Sequence, residues 1–137
     1  MSKHTERTLA LFRAQGYVID VIERFIRNPA HPGGGFRKDY LGFGDLLAFS
    51  AGETILVQSC GADFSAHKKT MLELPGVGEW LSPNRRVLLI GWRKLKLKRN
   101  SKAYRWKPRI AEFFSVENEV ECLEQNFIKN EINFQFE

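Results

Sequence analysis

The chain has 137 residues, 43% of them apolar and 27% charged, the composition of a single folded domain rather than of a disordered or fibrous chain. Its apolar runs reach about five residues against the roughly 20 a membrane helix requires, and no leader-like segment opens it, so a cytoplasmic protein without membrane association is expected. The net charge of +5 is uneven: residues 1–109 hold 20 Lys and Arg against nine acids, while residues 110–137 hold Lys129 against seven glutamates, so a basic body suited to a polyanion carries an acidic tail.

Residues 4–15 are predicted as an amphipathic helix, with Leu9, Leu11 and Phe12 on one stripe beside Arg7 and Arg13, Thr5 as cap and Gly16 as stop. Residues 17–26 are rich in β-branched and aromatic side chains. Val18, Val21, Ile22 and Phe25 also match helical spacing, but the stop at Gly16 favours a strand. Residues 28–38, with Pro29, Pro32 and Gly33 to Gly35, are expected as a loop; no Gly-Lys-Ser/Thr follows to make a phosphate loop. Gly44 to Phe49 and Thr54 to Gly61 read as a hairpin of central strands turning at Ala51-Gly52-Glu53. Asp63 caps a helix over 64–74, with Ala66, Met71, Leu72 and Leu74 as apolar contacts. A loop or short helical turn covers 75–83, and 86–92 is another buried strand. From Trp92 onward Leu95 and Leu97 alternate with Lys94, Lys96 and Lys98, a turn falls at 99–102, and 103–114 returns as the partner strand. A closing helix is expected over 116–128. The fold class is α/β, a mixed central sheet flanked by helices, in one domain over 1–137: a core at 4–92, a basic hairpin at 93–114 and an acidic segment at 115–137.

Asp45 opens the first strand of the central hairpin, and Gln58 lies near the end of the second. Two such strand ends bring an acidic and an amide oxygen to one edge of a sheet, ligands that suit Mg2+; beside a basic surface, Mg2+ suggests phosphodiester chemistry. Asp45 as a plain turn residue is the alternative. Gln58 on an otherwise apolar strand is costly to bury unpaired. Two cysteines make no disulfide framework, and Cys60 reads as a small packed residue, no His/Cys pair showing zinc spacing. His67, in a helix beside Lys68 and Lys69, reads as exposed.

A second constellation points to binding. Residues 93–109 hold nine cations and no acid: Arg93, Lys94, Lys96, Lys98, Arg99, Lys102, Arg105, Lys107 and Arg109. Lys94, Lys96 and Lys98 fall on one strand face about 7 Å apart, close to the spacing of successive phosphates, and a two-stranded ribbon fits a major groove. Tyr104 and Trp106 are candidates for stacking on unpaired bases. Lysines protecting an exposed edge are the plain alternative, but nine charges exceed that need. Arg37, Lys38 and Lys69 extend the phosphate path.

A first helix with Glu6, a strand after Gly16-Tyr17, Asp45 ahead of an apolar strand and Val57-Gln58-Ser59-Cys60 ending its partner resemble the restriction-endonuclease-like nuclease superfamily with its PD-(D/E)XK signature. The order and spacing are most similar to archaeal Holliday junction resolvases and small phage nucleases, over residues 4–92. The resemblance implies a restriction-endonuclease-like sheet and a Mg2+- or Mn2+-dependent DNA endonuclease, acting on branched DNA as a homodimer. It implies Asp45 as metal-binding aspartate, Gln58 at the (D/E) position, the Ser59 carbonyl as backbone ligand and Glu6 as an acid from the first helix. Gly44 stands in place of the signature proline. Cys60 stands at the lysine position, which leaves Lys68 or Lys69 as a displaced substitute and Asp39 as an added carboxylate. The alternative is a nuclease-fold module that binds DNA without cutting it and recruits or masks another nucleic-acid enzyme.

Overall fold

Ser2, rather than Thr5, starts the first helix: its hydroxyl accepts the Thr5 amide at 3.3 Å, and α1 runs Lys3–Ala14. This is seen in a computed structural model that describes residues 1–129. Gly16, at φ +87°, takes the left-handed turn that ends the helix. The stretch expected as one strand is two, β1 (Val18–Val21) and β2 (Arg24–Arg27), because β2 leaves the main sheet. It pairs antiparallel with β3 (Gly35–Lys38), so the expected loop at 28–38 contains a strand behind a short 3-10 turn at Pro32–Gly34. The central hairpin forms as expected, with β4 (Leu46–Ser50) and β5 (Glu53–Cys60). Then follow α2 (Phe64–Glu73), α3 (Pro75–Trp80), β6 (Arg85–Lys96), β7 (Tyr104–Val116) and β8 (Glu119–Gln125).

That last element corrects the sequence reading, which expects a helix over 116–128. Val116 pairs with Glu119 across a two-residue turn whose residues, Glu117 and Asn118, have φ of 50° and 69°. Positive φ at both central positions makes the turn whose twist matches a β-hairpin. Beyond it Val120 and Cys122 are half-buried while Glu119, Glu121 and Leu123 are exposed, a period of two. The acidic segment is therefore an edge strand as far as it is described, and its remainder at 130–137 lies outside the described residues.

Six strands form one mixed sheet in the order β1-β4-β5-β6-β7-β8. Every pair is antiparallel except β5 with β6, whose parallel register sets Gln58 opposite Leu89 and requires the crossover through α2 and α3. The alternation along each strand sorts side chains to two cores. Leu9 and Phe12 of α1 pack with Ile19, Leu46, Ile55, Val57, Leu88 and Ile90 on one face. Phe64, Met71 and Val77 pack with Leu56, Cys60, Leu89 and Phe113 on the other. Ala66 and Leu72 of α2 are exposed instead of contributing to that core. Each fully buried Leu or Phe contributes about 1.5–3 kcal/mol, so β5 is pinned from both sides along its length.

The basic hairpin is continuous with this core. β6 is buried from Val87 to Trp92 and emerges at Arg93; β7 returns to burial at Ile110. Packing energy spent on the inner halves of the two strands thus holds the outer halves in register. Among the described residues no helix is long and apolar enough to cross a membrane.

Candidate functional site

The site forms where β4 and β5 begin to part. Asp45, just before β4, bonds the residues on either side of Gln58: its amide donates to the Val57 carbonyl at 3.0 Å, and its carboxylate accepts the Ser59 amide at 3.1 Å. Gly44 permits this approach, since a Cβ there would meet the Leu56 side chain at 2.5 Å. The Asp45 carbonyl also accepts the Ile22 amide at 3.0 Å, which fixes the chain that leaves β1. Two more carboxylates follow from that arrangement, Glu23 between β1 and β2 and Asp39 after β3. One oxygen from each of Glu23, Asp39 and Asp45 lies within 4.8 Å of the others. Beside Asp39, a cleft of about 620 Å³ is lined by Ile22, Arg24, Lys38, Tyr40 and Leu41.

The electrostatics of this cluster are uncompensated. Burial, reinforced by the Asp39 carboxylate, pushes the pKa of Asp45 up to about 8 against the opposing pull of the Ser59 amide. Burial and then Glu23 raise that of Asp39 as well. Arg37 is the cation that reaches the cluster, 2.6 Å from Glu23, and its side chain is largely exposed. Gln58 is 8% exposed, and no described group hydrogen-bonds its carboxamide.

Of the residues the sequence singles out, Asp39 and Asp45 meet in the cluster, and Asp45 bonds the backbone of Val57 and Ser59 on either side of Gln58. Ser59 meets Asp45 through its amide, and its side chain turns to the opposite face. There its hydroxyl lies 2.7 Å from Thr8 Oγ1 and 3.2 Å from His4 Nδ1, and Thr8 accepts the Trp92 indole N–H at 2.9 Å. This chain of bonds fastens α1 to β5 and β6. Glu6 lies outside the cluster, on the exposed side of α1 and 3.5 Å from Lys3. Lys68 has its ammonium 6.0 Å from the Phe64 ring centre and within electrostatic reach of Cys122 and Glu124 on β8. Lys69 is exposed on α2. Glu23 is the member sequence reading misses: inside a run read as one strand it carries no signal, and only the break between β1 and β2 exposes it.

Cys60, two residues beyond Gln58 on the same face, packs into the core at 2% exposure, and burial followed by the nearby Asp63 and Asp45 pushes its pKa up to about 12. Its neighbours include Asp63 and His67. The Asp63 carboxylate accepts from His67 Nε2 at 2.8 Å; burial opposes its ionisation, but that bond and a backbone N–H hold its pKa below the usual value.

The basic surface has two parts. On the β2–β3 hairpin stand Arg24, Arg27, Arg37 and Lys38, all exposed. On the β6–β7 hairpin Arg93, Lys94, Lys96, Lys98, Arg99, Lys102, Arg105 and Lys107 are exposed. Lys94 lies opposite Trp106 and Lys96 opposite Tyr104, so these four share a face. The Lys94 ammonium sits 4.5 Å from the Tyr104 ring centre, and the Arg7 guanidinium 3.9 Å from that of Trp106. Both rings stay nearly half exposed. Arg109 instead pairs with Glu124 at 3.1 Å, so the acidic edge strand neutralises the inner end of the hairpin and leaves its tip charged.

The chain matches no family model, no curated protein and no solved structure.

Proposed function

We propose that this chain is a metal-dependent DNA endonuclease with a restriction-endonuclease-like fold. The fold reading is supported by the succession α1, β1, β4, β5, α2, β6 with β6 parallel to β5, the arrangement expected around the Asp45 and Gln58 strand ends. The observation that carries the function is the clustering of Glu23, Asp39 and Asp45 oxygens within 4.8 Å, with Asp45 bonded to the backbone on either side of Gln58. Such a set of hard oxygen donors, too poor in cations to ionise fully by itself, fits Mg2+ or Mn2+. Asp45, Asp39 and Glu23 would hold the ion, with the Gln58 oxygen beside them. When bound, it lowers the pKa of a water nucleophile and offsets charge on the phosphate.

The chain's own residues supply the rest. The Ser59 amide holds Asp45 in one orientation, and Arg37 and Lys38 give a strand of DNA cations to follow toward the carboxylates. The β6–β7 hairpin carries the longer-range attraction, with Lys94 and Lys96 on phosphates and Tyr104 and Trp106 offering faces to unpaired bases. Branched DNA is the substrate class this combination suits, acted on in the cytoplasm by a symmetric dimer that cuts two strands in a paired fashion.

A second reading, a nuclease-fold module that binds DNA without cutting, is favoured by the buried thiol of Cys60 in the lysine position and by Lys68 lying over the Phe64 ring. Cleavage of labelled four-way junction, flap, single-stranded and duplex DNA with Mg2+, Mn2+ or EDTA separates the two. Metal-dependent cutting abolished by Asp45→Ala supports the nuclease, whereas tight binding without cutting supports the module and overturns the enzyme.

A further inference from the structure

One cluster is not used by that reading. Cys60 ends β5, Asp63 stands at the start of α2, and His67 follows one turn later on the same helix face. One ligand atom from each, sulfur, carboxylate oxygen and imidazole nitrogen, lies within 4.8 Å of the other two. A tetrahedral zinc ion with bonds of about 2.0–2.3 Å sets its ligands roughly 3.3–3.8 Å apart, so small side-chain rotations close the set. A second observation concerns Asp63. It occupies the N-cap position of α2 yet makes no capping bond with its side chain, turning instead to His67. An N-cap aspartate ordinarily contributes about 1 kcal/mol through that bond, so the carboxylate is oriented by the cluster rather than by the helix.

We propose that Cys60, Asp63 and His67 form a transition-metal site for Zn2+ or a similar first-row ion, distinct from the all-oxygen cluster of Glu23, Asp39 and Asp45. Sulfur and nitrogen donors select such ions over Mg2+. Binding converts the thiol to a metal thiolate and releases its proton to solvent. The sulfur is buried while Asp63 and His67 are partly exposed, so the fourth position faces solvent and accepts water or a phosphate oxygen. His4 faces the same pair within electrostatic reach. If the nuclease reading holds, on which this one clause rests, the ion returns to the position of Cys60 the positive charge that a lysine would have supplied.

The test uses the full chain stripped of metal and titrated with Co2+ as a spectroscopic probe. One equivalent should give a thiolate-to-cobalt charge-transfer band in the near ultraviolet, which Zn2+ then bleaches. Cys60→Ser should lose the band and Cys122→Ser keep it. Asp63→Asn and His67→Ala, on the solvent side of α2, should retain the native circular dichroism and lose more Zn2+ affinity than the roughly 10–100-fold that removal of an outer-shell partner costs, in competition with a chromophoric chelator. Absence of the band, its loss in Cys122→Ser rather than Cys60→Ser, or unchanged Zn2+ affinity in His67→Ala would overturn the proposal. Asp45→Ala should keep the band while abolishing Mg2+-dependent cleavage, so the two readings fail separately.

Discussion

Replacing Asp45 by Asn should stabilise the metal-free protein, and by an amount that grows with pH. The carboxyl titrates near pH 8 in the folded chain against an ordinary value of 3.8. In that window the native state keeps a proton that the unfolded chain has lost, so stability is greatest below about pH 4 and falls as pH rises toward 8. One pKa unit corresponds to about 1.36 kcal/mol, which over the interval from pH 5 to pH 8 amounts to about 4 kcal/mol. Water reaching the partly open cleft reduces this, and about 2–4 kcal/mol is the expected loss. Asn keeps an oxygen for the Ser59 amide but carries no charge to bury, so Asp45→Asn should lose far less over the same range, with the raised Asp39 leaving a residual slope that His4, whose partly buried ring favours the neutral form, opposes. Urea unfolding in EDTA at pH 5, 6, 7 and 8 measures both profiles. Mg2+ at 100 times its dissociation constant should then return about 2.7 kcal/mol to the wild type, roughly 10 °C in Tm, and nothing comparable to the variant. Parallel pH profiles for the two proteins would refute the picture of a buried, uncompensated carboxylate.

Three further outcomes follow from the same coordinates. Lys94→Glu with Lys96→Glu should leave unfolding within about 0.5 kcal/mol per site, both residues being exposed, while weakening DNA binding and lowering its salt slope by about 2 in fluorescence anisotropy titrations. Arg86→Ala should cost about 3–5 kcal/mol in urea unfolding, because Arg86 bonds Glu53 at 3.1 Å, Glu112 at 2.7 Å and the Ile128 carbonyl at 2.6 Å, leaving two carboxylates without their cation. Thr8→Val should cost about 1–3 kcal/mol, since the buried Trp92 indole N–H loses its acceptor and the Ser59 hydroxyl a partner; intrinsic tryptophan fluorescence during unfolding reports it.

The central architecture was legible where hydrophobic period and punctuation agreed. The Gly16 stop, the apolar run of β5 and the switch at Trp92 from continuous burial to alternation each placed an element, and Asp45 with Gln58 stood out because polar residues at the ends of buried strands need partners. The misses have physical causes. The β2–β3 pair lies outside the main core, so its exposed Phe25 and Phe36 leave no burial pattern to follow. In β8 the two-residue turn at Glu117-Asn118 lacks the glycine that usually marks it, and glutamates on an edge strand resemble those on a helix surface. Glu23 became a site residue only through contacts with distant chain segments, and His67 only where the end of β5 meets the first turn of α2. A spacing rule for zinc, looking for His and Cys in regular pairs, passes over three different ligands that meet at the junction of a strand and a helix.

The two ends of β5 give the strongest reason to read one of them as a site for an external cation. At its start, the half-buried Glu53 and the buried Glu112 have Arg86 between them, Glu112 also accepts the Gln125 amide at 3.0 Å, and Glu53 accepts the Tyr17 hydroxyl. Both carboxylates there are bonded within the chain, sharing one guanidinium and taking neutral donors besides, which is how a structural carboxylate pair is made tolerable in a poorly solvated place. At the other end three carboxylates converge with the exposed Arg37 on Glu23, and Asp45 is held away from ionisation. The same chain thus binds one acidic pair to a shared, half-buried arginine and leaves the other group without such a cation at its centre. A fold under selection for stability alone gains several kcal/mol by replacing Asp45 with a neutral residue, so retaining it needs a compensating use. Under the function proposed above, a metal ion entering with the DNA strand would supply that use, by converting the repulsion among Glu23, Asp39 and Asp45 into binding energy directed at the place where the phosphate must sit.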